Sequence, residues 1–224
     1  MGSAADTRQR ILRHARRLLN ERGSRAVSTN HIAAAAGVSP GNLYYYFRNK
    51  EEIVREIHAA MAGRAVRFWR ERQGRPATPR ALQETLYLLQ FFVWEYRFFR
   101  LEQNVLLAAD PELHERHIVY HQERAVWLAD FFASLEEAGV LKPLTPEIRA
   151  ALMRSFWMIA DYWIAALHAE GRALNRKNVR DGSLLLRTLF EPYVLKSARE
   201  RKAPAAKKKA RAAFKTNQPT RKKI

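Results

Sequence analysis

The sequence predicts an all-α protein, and three observations predict it. Ser39-Pro40, Thr78-Pro79, Asp110-Pro111 and Thr145-Pro146 each pair an N-cap residue with proline at the first helical position. The cap oxygen satisfies a free amide, and proline lacks the amide that would otherwise be orphaned there. Gly23, Gly37, Gly139 and Gly171 follow helical runs, where a left-handed residue ends a helix. No stretch shows the apolar–polar alternation of a half-buried strand.

The elements follow in order. The first helix is expected over about residues 6–22, with Ile11, Ala15, Leu18 and Leu19 on one face. Two short helices are expected at 29–36 and 40–47. Asn49 with Glu52 three residues later reads as a capping box that opens a fourth helix, to about residue 72. After a loop at 74–78, a long helical region with room for one break covers about 79–109. Further helices fit 111–138, 146–170 and about 176–199, the last bent at Pro192. From about Ala203 the chain is rich in Lys, Arg and Ala and has almost nothing to bury, so it is expected to be disordered when free. The organisation expected is a head over 1–52, a body over 53–200 and a basic tail over 201–224.

Composition narrows the function. The 224 residues (26.0 kDa) are enough to bury a sizeable core. There is no cysteine, which excludes disulfide frameworks, zinc-thiolate sites, iron-sulfur clusters and cysteine nucleophiles. A reducing, cytoplasmic setting is expected. The N-terminus lacks the apolar run of a signal peptide. The most apolar stretches, 86–99 and 156–167, are interrupted by Gln90, Glu95 and Arg97, and by Asp161, so no membrane partner is expected. The net charge of +18 is sorted along the chain. Residues 1–50 carry nine Lys/Arg against two Asp/Glu, residues 51–195 carry nineteen of each, and residues 196–224 carry twelve against one. An electrically neutral body between two basic ends points to a polyanion partner, nucleic acid before acidic membrane.

Residues 29–48 fit a helix-turn-helix. Ala33 is small where two helices must approach, Gly37 supplies positive φ in the turn, and Ile32, Ala36, Val38 and Leu43 fix the interhelical angle. The second helix, opened by Ser39, Pro40, Gly41 and Asn42, would lie in the major groove of double-stranded DNA with its first residues at the base edges. Gly41 lets the backbone come close, and Asn42 offers a donor and an acceptor to a base edge. The hydroxyls of Thr29, Ser39, Tyr44, Tyr45 and Tyr46 suit phosphate oxygens, and Lys50 adds charge. Tyr45 or Tyr46 could instead pack inward against a neighbouring helix.

The stretch 28–54, reading STNHIAAAAGVSPGNLYYYFRNKEEIV, resembles the DNA-binding domain of the TetR family of bacterial repressors. The resemblance is carried by 37–47 together with Asn49-Lys50-Glu51 and covers about residues 6–60. It implies a head of three helices and a ligand-binding and dimerisation body of about six, whose last two helices form a four-helix bundle with a second subunit. Tyr46 departs from the pattern, since many members carry histidine before the phenylalanine. A tyrosine still keeps a hydroxyl for phosphate.

The body agrees with that architecture. Tyr87, Phe91, Trp94, Phe98, Leu101 and Val105 recur at helical spacing, with Leu82, Leu86, Leu89 and Val93 on another side. The 146–170 helix also has two stripes, and the last helix offers Leu185, Leu186, Leu189, Phe190, Tyr193 and Val194. A two-fold dimer through the last two helices buries the surplus face, with Trp163, Leu167, Leu186, Leu189, Phe190 and Tyr193 as its expected interface. Phe91, Trp94, Phe98, His121, Trp127 and Trp157 are the expected lining of a cavity for a lipophilic or aromatic small-molecule effector. The same rings suit a plain core, and the sequence leaves both open. Glu95 and Asp161, if buried, are expected to pair with arginines such as Arg97 or Arg154, with a cationic ligand as the alternative partner. His114, His117 and His121 share a helix face, and the His117/His121 pair has a spacing that suits a metal, although a solvated or pocket-lining polar face is the simpler reading. No phosphate loop, nucleophile elbow or HExxH pattern is present, so neither catalysis nor a cofactor is expected.

The expected function is therefore a homodimeric, ligand-responsive regulator, a repressor that an effector releases from a palindromic operator. The alternative is an architectural protein that binds DNA without sequence preference through its head and basic tail, the tail acting on phosphates in a salt-dependent way.

Overall fold

A computed structural model describes residues 4–195; the basic tail expected at 201–224 lies outside the described residues. The chain forms nine α-helices within that span: α1 (Ala4–Arg22), α2 (Thr29–Ala36), α3 (Pro40–Tyr46), α4 (Lys50–Arg70), α5 (Pro79–Glu95), α6 (Arg97–Ala109), α7 (Pro111–Glu137), α8 (Pro146–Ala169) and α9 (Arg176–Phe190). The expected cap-proline starts are all present. Ser39, Thr78, Asp110 and Thr145 each accept a hydrogen bond from a backbone amide of the first turn, with proline inside it. Gly37 has φ of 64°, and its amide and the next close the end of α2 onto Ala33 and Ala34. Any other residue would be strained there.

Three local expectations need correction. The expected capping box of α4 is half formed. Asn49 accepts from the Glu52 amide, but the Glu52 carboxylate accepts from Arg48 N instead of closing on Asn49. The box that does close joins Ser28 and His31 at α2, where the imidazole Nδ1 does the work usually given to glutamate. The helix expected over 176–199 stops at Phe190. Pro192 has no amide to donate and disfavours helix before it, so Glu191–Tyr193 forms one 3₁₀ turn. The chain then runs back along the end of α7, with Lys142 N donating to Tyr193 O and an isolated bridge between Leu141 and Val194.

The core has three parts. One joins α1, α2, α3 and the first half of α4 through Ile11, Leu19, Ile32, Leu43, Phe47 and Ile53, and continues without a break into Phe98, Phe99, Leu113 and Tyr120. The expected head–body boundary at 52/53 falls inside α4, so one rigid helix belongs to both parts. The second part lies under α5, α7, α8 and α9 around Leu86, Leu128, Phe132, Phe156 and Phe190. The third is small: Val93, Ile164, Leu167 and Val179.

The expected dimer residues Leu167, Leu186 and Phe190 are almost wholly buried in the protomer's own core, which removes them from any outer surface. Trp163, Leu189 and Tyr193 are half-buried. The reason is phase. The face of α9 carrying Val179, Gly182, Leu186 and Phe190 turns inward, and both apolar stripes of α8 are used within the protomer. What remains outside is Ile148, Met158 (62% exposed) and Tyr162 on α8, and Leu184 and Leu185 on α9.

Gly182 sets the approach of α9. A Cβ there would lie 2.6 Å from Trp163 Cδ1 and 3.0 Å from Gln90 Oε1. Gly182→Ala is therefore expected to destabilise by about 1–3 kcal/mol through overpacking, read from the urea midpoint. An unchanged midpoint would mean that α9 is not seated this closely.

Candidate nucleic-acid interface and effector cavity

The α2–α3 corner is anchored from below and bare on top. Leu43 and Phe47 are buried in the head core, while Ser39, Pro40, Gly41, Asn42, Tyr44 and Tyr45 are exposed, Tyr45 at 80%. Single exposed apolar residues are ordinary, but two neighbouring exposed tyrosine rings, Tyr44 and Tyr45, make a patch beside the helix start. Tyr46 is half-buried against the head core, with its ring edge-on to Tyr45 at 5.0 Å. The Thr29 and Tyr44 hydroxyls are 3.0 Å apart and tie α2 to α3. Lys50 Nζ donates to Ser24 O at 2.8 Å, fastening the start of α4 to the loop before α2. A short exposed helix, held at one buried edge and opened by a capped N-terminus, has the shape and chemistry to enter a major groove.

Polar contacts bind this head to the body. Arg16 of α1 donates to Glu95 at 2.6 Å, and Arg64 of α4 reaches the other oxygen of the same carboxylate. Asn20 bridges the α5–α6 break, donating to Glu95 O and accepting from Phe98 N. The Glu102 carboxylate accepts from Ser24 N. Glu95 is half-buried and paired with arginines, as expected, but with Arg16 and Arg64, not Arg97. Arg97 instead donates to Trp94 O and stacks on the Trp94 ring.

A cavity of about 530 Å³ opens between α4, α5, α6, α7 and α8. Its apolar wall includes Phe68, Trp69, Leu89 and Phe92, and its rim carries exposed Arg67, Glu71 and Arg75. The inner end is buried Arg100, Tyr120, Arg124, Trp157 and Asp161. Asp161 is paired with arginines, though not with Arg154. Arg124 Nη2 donates to both its oxygens at 2.9 and 3.0 Å, and Arg100 Nη1 lies 2.8 Å from Oδ1. These two arginines hold the carboxyl below its ordinary range against the opposing effect of burial. The Arg124 guanidinium lies 3.8 Å above the Trp157 ring.

Of the residues expected to line a cavity, Trp157 does so. Phe98 is buried in the first core, and Trp127 packs at the edges of the first and second. Phe91 stacks on Tyr87, Trp94 packs against the third core, and His121 is exposed beside Trp157. The wall uses the Leu88, Leu89 and Phe92 side of α5 instead. The arginines of the wall were missed, although Arg100 and Arg124 carry the same signal as Asp161: a charge set among aromatic and aliphatic residues.

The three histidines of α7 do not act together. His114 is exposed, while His117 is buried and faces His58 of α4, Nε2 to Nδ1 at 3.1 Å. Among the described residues no group of three or more His, Asp or Glu is placed to hold a metal. Burial, then Arg100, Arg116 and Arg124, lowers His58 to about 4. Burial, then Arg100, His58 and Arg124, lowers His117 to about 3. The unfolded chain therefore takes up these protons first as pH falls. Stability should be full above about pH 7 and fall from about pH 6.5 down through about pH 4 for His58 and about pH 3 for His117, by roughly 1–2 kcal/mol per histidine at pH 5. Urea midpoints across that range check this, and a flat profile in His58→Phe/His117→Phe would assign the slope to the pair.

Two family models match the chain. The model for "Bacterial regulatory proteins, tetR family" covers residues 11–57, and that for "Bacterial transcriptional repressor" covers 65–201. The HTH-type transcriptional repressor KstR2 of Mycobacterium tuberculosis is 26% identical over 146 residues, 63% of this chain and 72% of that protein. The HTH-type transcriptional regulator AcrR of Shigella flexneri is 43% identical over 54 residues, 24% of this chain and 25% of that protein. Among solved structures, a TetR-family regulator from Marinobacter aquaeolei VT8 superposes with a TM-score of 0.79 at 30% identity, covering 95% of this chain and 98% of that one. A transcriptional regulator from Saccharomonospora viridis in complex with choline shares the fold, with a TM-score of 0.67 at 19% identity over 86% of this chain and all of that one. Among the described residues no helix is long and apolar enough to cross a membrane.

Proposed function

The chain belongs to the TetR family of bacterial transcriptional regulators, and we propose that it is a homodimeric repressor that a small molecule in the α4–α8 cavity releases from a palindromic operator. The observation that carries this reading is α3: buried at Leu43, bare from Ser39 to Asn42 and at Tyr44 and Tyr45, and presented at the end of a helix that also walls the cavity. In this reading residues 1–52 read DNA and residues 53–200 sense the effector and dimerise. Asn42 and Gly41 face base edges. Thr29, Ser39, Tyr44, Tyr45, Tyr46 and Lys50 face phosphates, and Pro40 sets the helix start.

The dimer surface we assign is the outward face of α8 and α9, with Met158, Tyr162, Leu184 and Leu185 in place of the buried leucines. A two-fold pair would present two copies of α3 about 34–36 Å apart, or a multiple of that, on successive major grooves. An effector that fits the cavity in only one head spacing shifts the equilibrium by its differential affinity for the two states. The route is short. The second half of α4 contributes Arg64, Ala65, Phe68 and Trp69 to the cavity, while its first half packs in the head core. That a transcriptional regulator sharing this fold was solved with choline supports a small-molecule site in such a body.

Footprinting on the DNA upstream of the protein's own gene tests the proposal. A protected inverted repeat at moderate salt is expected, and protection without sequence preference would remove the repressor reading. The charge of residues 196–224, twelve Lys/Arg against one Glu, favours a second reading as an architectural binder. Deleting 200–224 separates the two. A repressor keeps its operator and loses background affinity, whereas an architectural protein loses most of its binding.

A further inference from the structure

We infer that the α4–α8 cavity is selective for an amphipathic carboxylate, whose head group sits at Arg100 and Arg124 and whose apolar body lies along the aromatic wall. The inference rests on the effector reading for the location of the site, and it adds the chemistry of the ligand.

The first argument is charge. The inner end holds two buried guanidinium groups, Arg100 and Arg124, against one buried carboxylate, Asp161. Asp161 is the only acid of the inner wall among the described residues. The other two acids lining the cavity, Glu71 and Glu84, belong to its outer part, and Glu84 is engaged by Arg80 at 2.8 Å. The neighbours do not change the sum. His58 and His117 are held neutral beside these arginines, and burial keeps the Tyr120 hydroxyl protonated. One positive charge is left in a water-poor place with no counterion of its own. Such a charge is costly to bury unless an anion joins it.

The second argument is hydrogen bonding and does not depend on charge. Arg100 Nε, Arg124 Nη1 and Trp157 Nε1 are buried and have no hydrogen-bond partner. All three are donors, and all three residues form the inner wall. Buried polar atoms are nearly always paired, so three unpaired donors in one place call for an acceptor. A carboxylate has acceptor sites for all three and no donor to leave stranded. An ammonium ligand has none to offer and would meet like charge. The aromatic and aliphatic wall of Phe68, Phe92 and Leu89 asks for an apolar body behind the head group. Exposed Arg67 and Arg75 at the rim draw anions toward the opening.

The test is a series in which only the head group changes: dodecanoate, dodecanol and dodecyltrimethylammonium, each below its micellar concentration, titrated calorimetrically into the full-length protein at neutral pH. Dodecanoate should bind saturably and about tenfold or more tighter than the alcohol, with the cation weakest. Arg100→Gln leaves the Arg124–Asp161 pair whole and cancels the surplus charge. It should reduce dodecanoate affinity to that of the alcohol while the unliganded protein melts no lower than the wild type. Equal or tighter binding of the alcohol or the cation overturns the inference. So does binding of none of the three, or an Arg100→Gln protein that folds and keeps the carboxylate preference. Should that variant not fold, the wild-type series decides. Operator release is scored separately. Release by the alcohol without carboxylate preference overturns this inference alone, and dodecanoate bound with the operator complex intact overturns the effector reading alone.

Discussion

Replacing Asn42 and Tyr45 together with alanine is expected to abolish operator recognition while leaving the fold as it is. Both side chains are exposed, and Tyr45 is the most exposed large ring of the head. Neither supports the core, which at this corner consists of Ile32, Leu43 and Phe47. Thermal unfolding should therefore move by no more than about 0.5 kcal/mol in stability. Binding should change far more. A good base-edge contact carries roughly 1–3 kcal/mol of discrimination, and a two-fold dimer loses it twice. The expected loss is about 2–6 kcal/mol, or roughly thirty-fold to ten-thousand-fold in specific affinity, with non-specific binding little altered because neither substitution removes a positive charge. A gel shift at fixed salt, with operator and scrambled DNA side by side, measures both. Undiminished preference for the operator would mean that α3 is not the reading element.

The second large effect is expected at Asp161. Its removal in Asp161→Ala leaves Arg100 and Arg124 facing each other in the interior without a counter-charge. Breaking a buried ion pair by deleting one member costs about 3–5 kcal/mol, because the remaining charge is stranded. Here two charges are stranded, so the upper end of that range is expected, a fall in melting temperature on the order of 10 °C. Replacing all three ionic side chains with apolar ones of similar volume should recover most of the loss, since an intact buried triad contributes little net stability. A loss under about 1 kcal/mol in Asp161→Ala would mean that water reaches these groups and that the inner end is not a low-dielectric place. The two variants at this site are opposite in sense. Asp161→Ala lowers stability by exposing surplus positive charge, and Arg100→Gln relieves it.

Much of the helical framework, in head and body alike, was legible because its signals are local. A cap residue, a proline or a glycine acts on the three or four residues beside it, whatever the rest of the chain does. The four cap-proline starts, the left-handed Gly37 and the limits of α2 could all be read for that reason. The Ser28–His31 box shows where the rule fails: it looks for glutamate, while an imidazole nitrogen can accept the same hydrogen bond. The family resemblance also lies in this local stretch.

The body was legible only to the level of its helices. Stripes of apolar residues announce that a helix has a buried face, but a helix apolar on two sides does not say which side meets its own core. For α8 and α9 the answer went against expectation, and Leu167, Leu186 and Phe190 face inward. The cavity was displaced in the same way, toward Leu89 and Phe92 and away from Phe91 and Trp94. Glu95 and Asp161 were legible as acids needing arginines. Which arginines they found depends on α1, α4, α6 and α7 meeting them from separations of 31 to 79 residues along the chain.

The amino-acid order alone therefore determined an all-helical chain with a basic head, the place and start of the α2–α3 corner, and the presence of acids set among apolar residues in the body. Those properties rest on hydrogen bonds and periodicities spanning a few residues. Tertiary structure alone decided the partners of Asp161 and Glu95, the pairing of His58 with His117, and the rotation of α8 and α9. Each of these is set by how distant helices pack, and packing fixes a helix's rotation about its axis only when all its neighbours are in place.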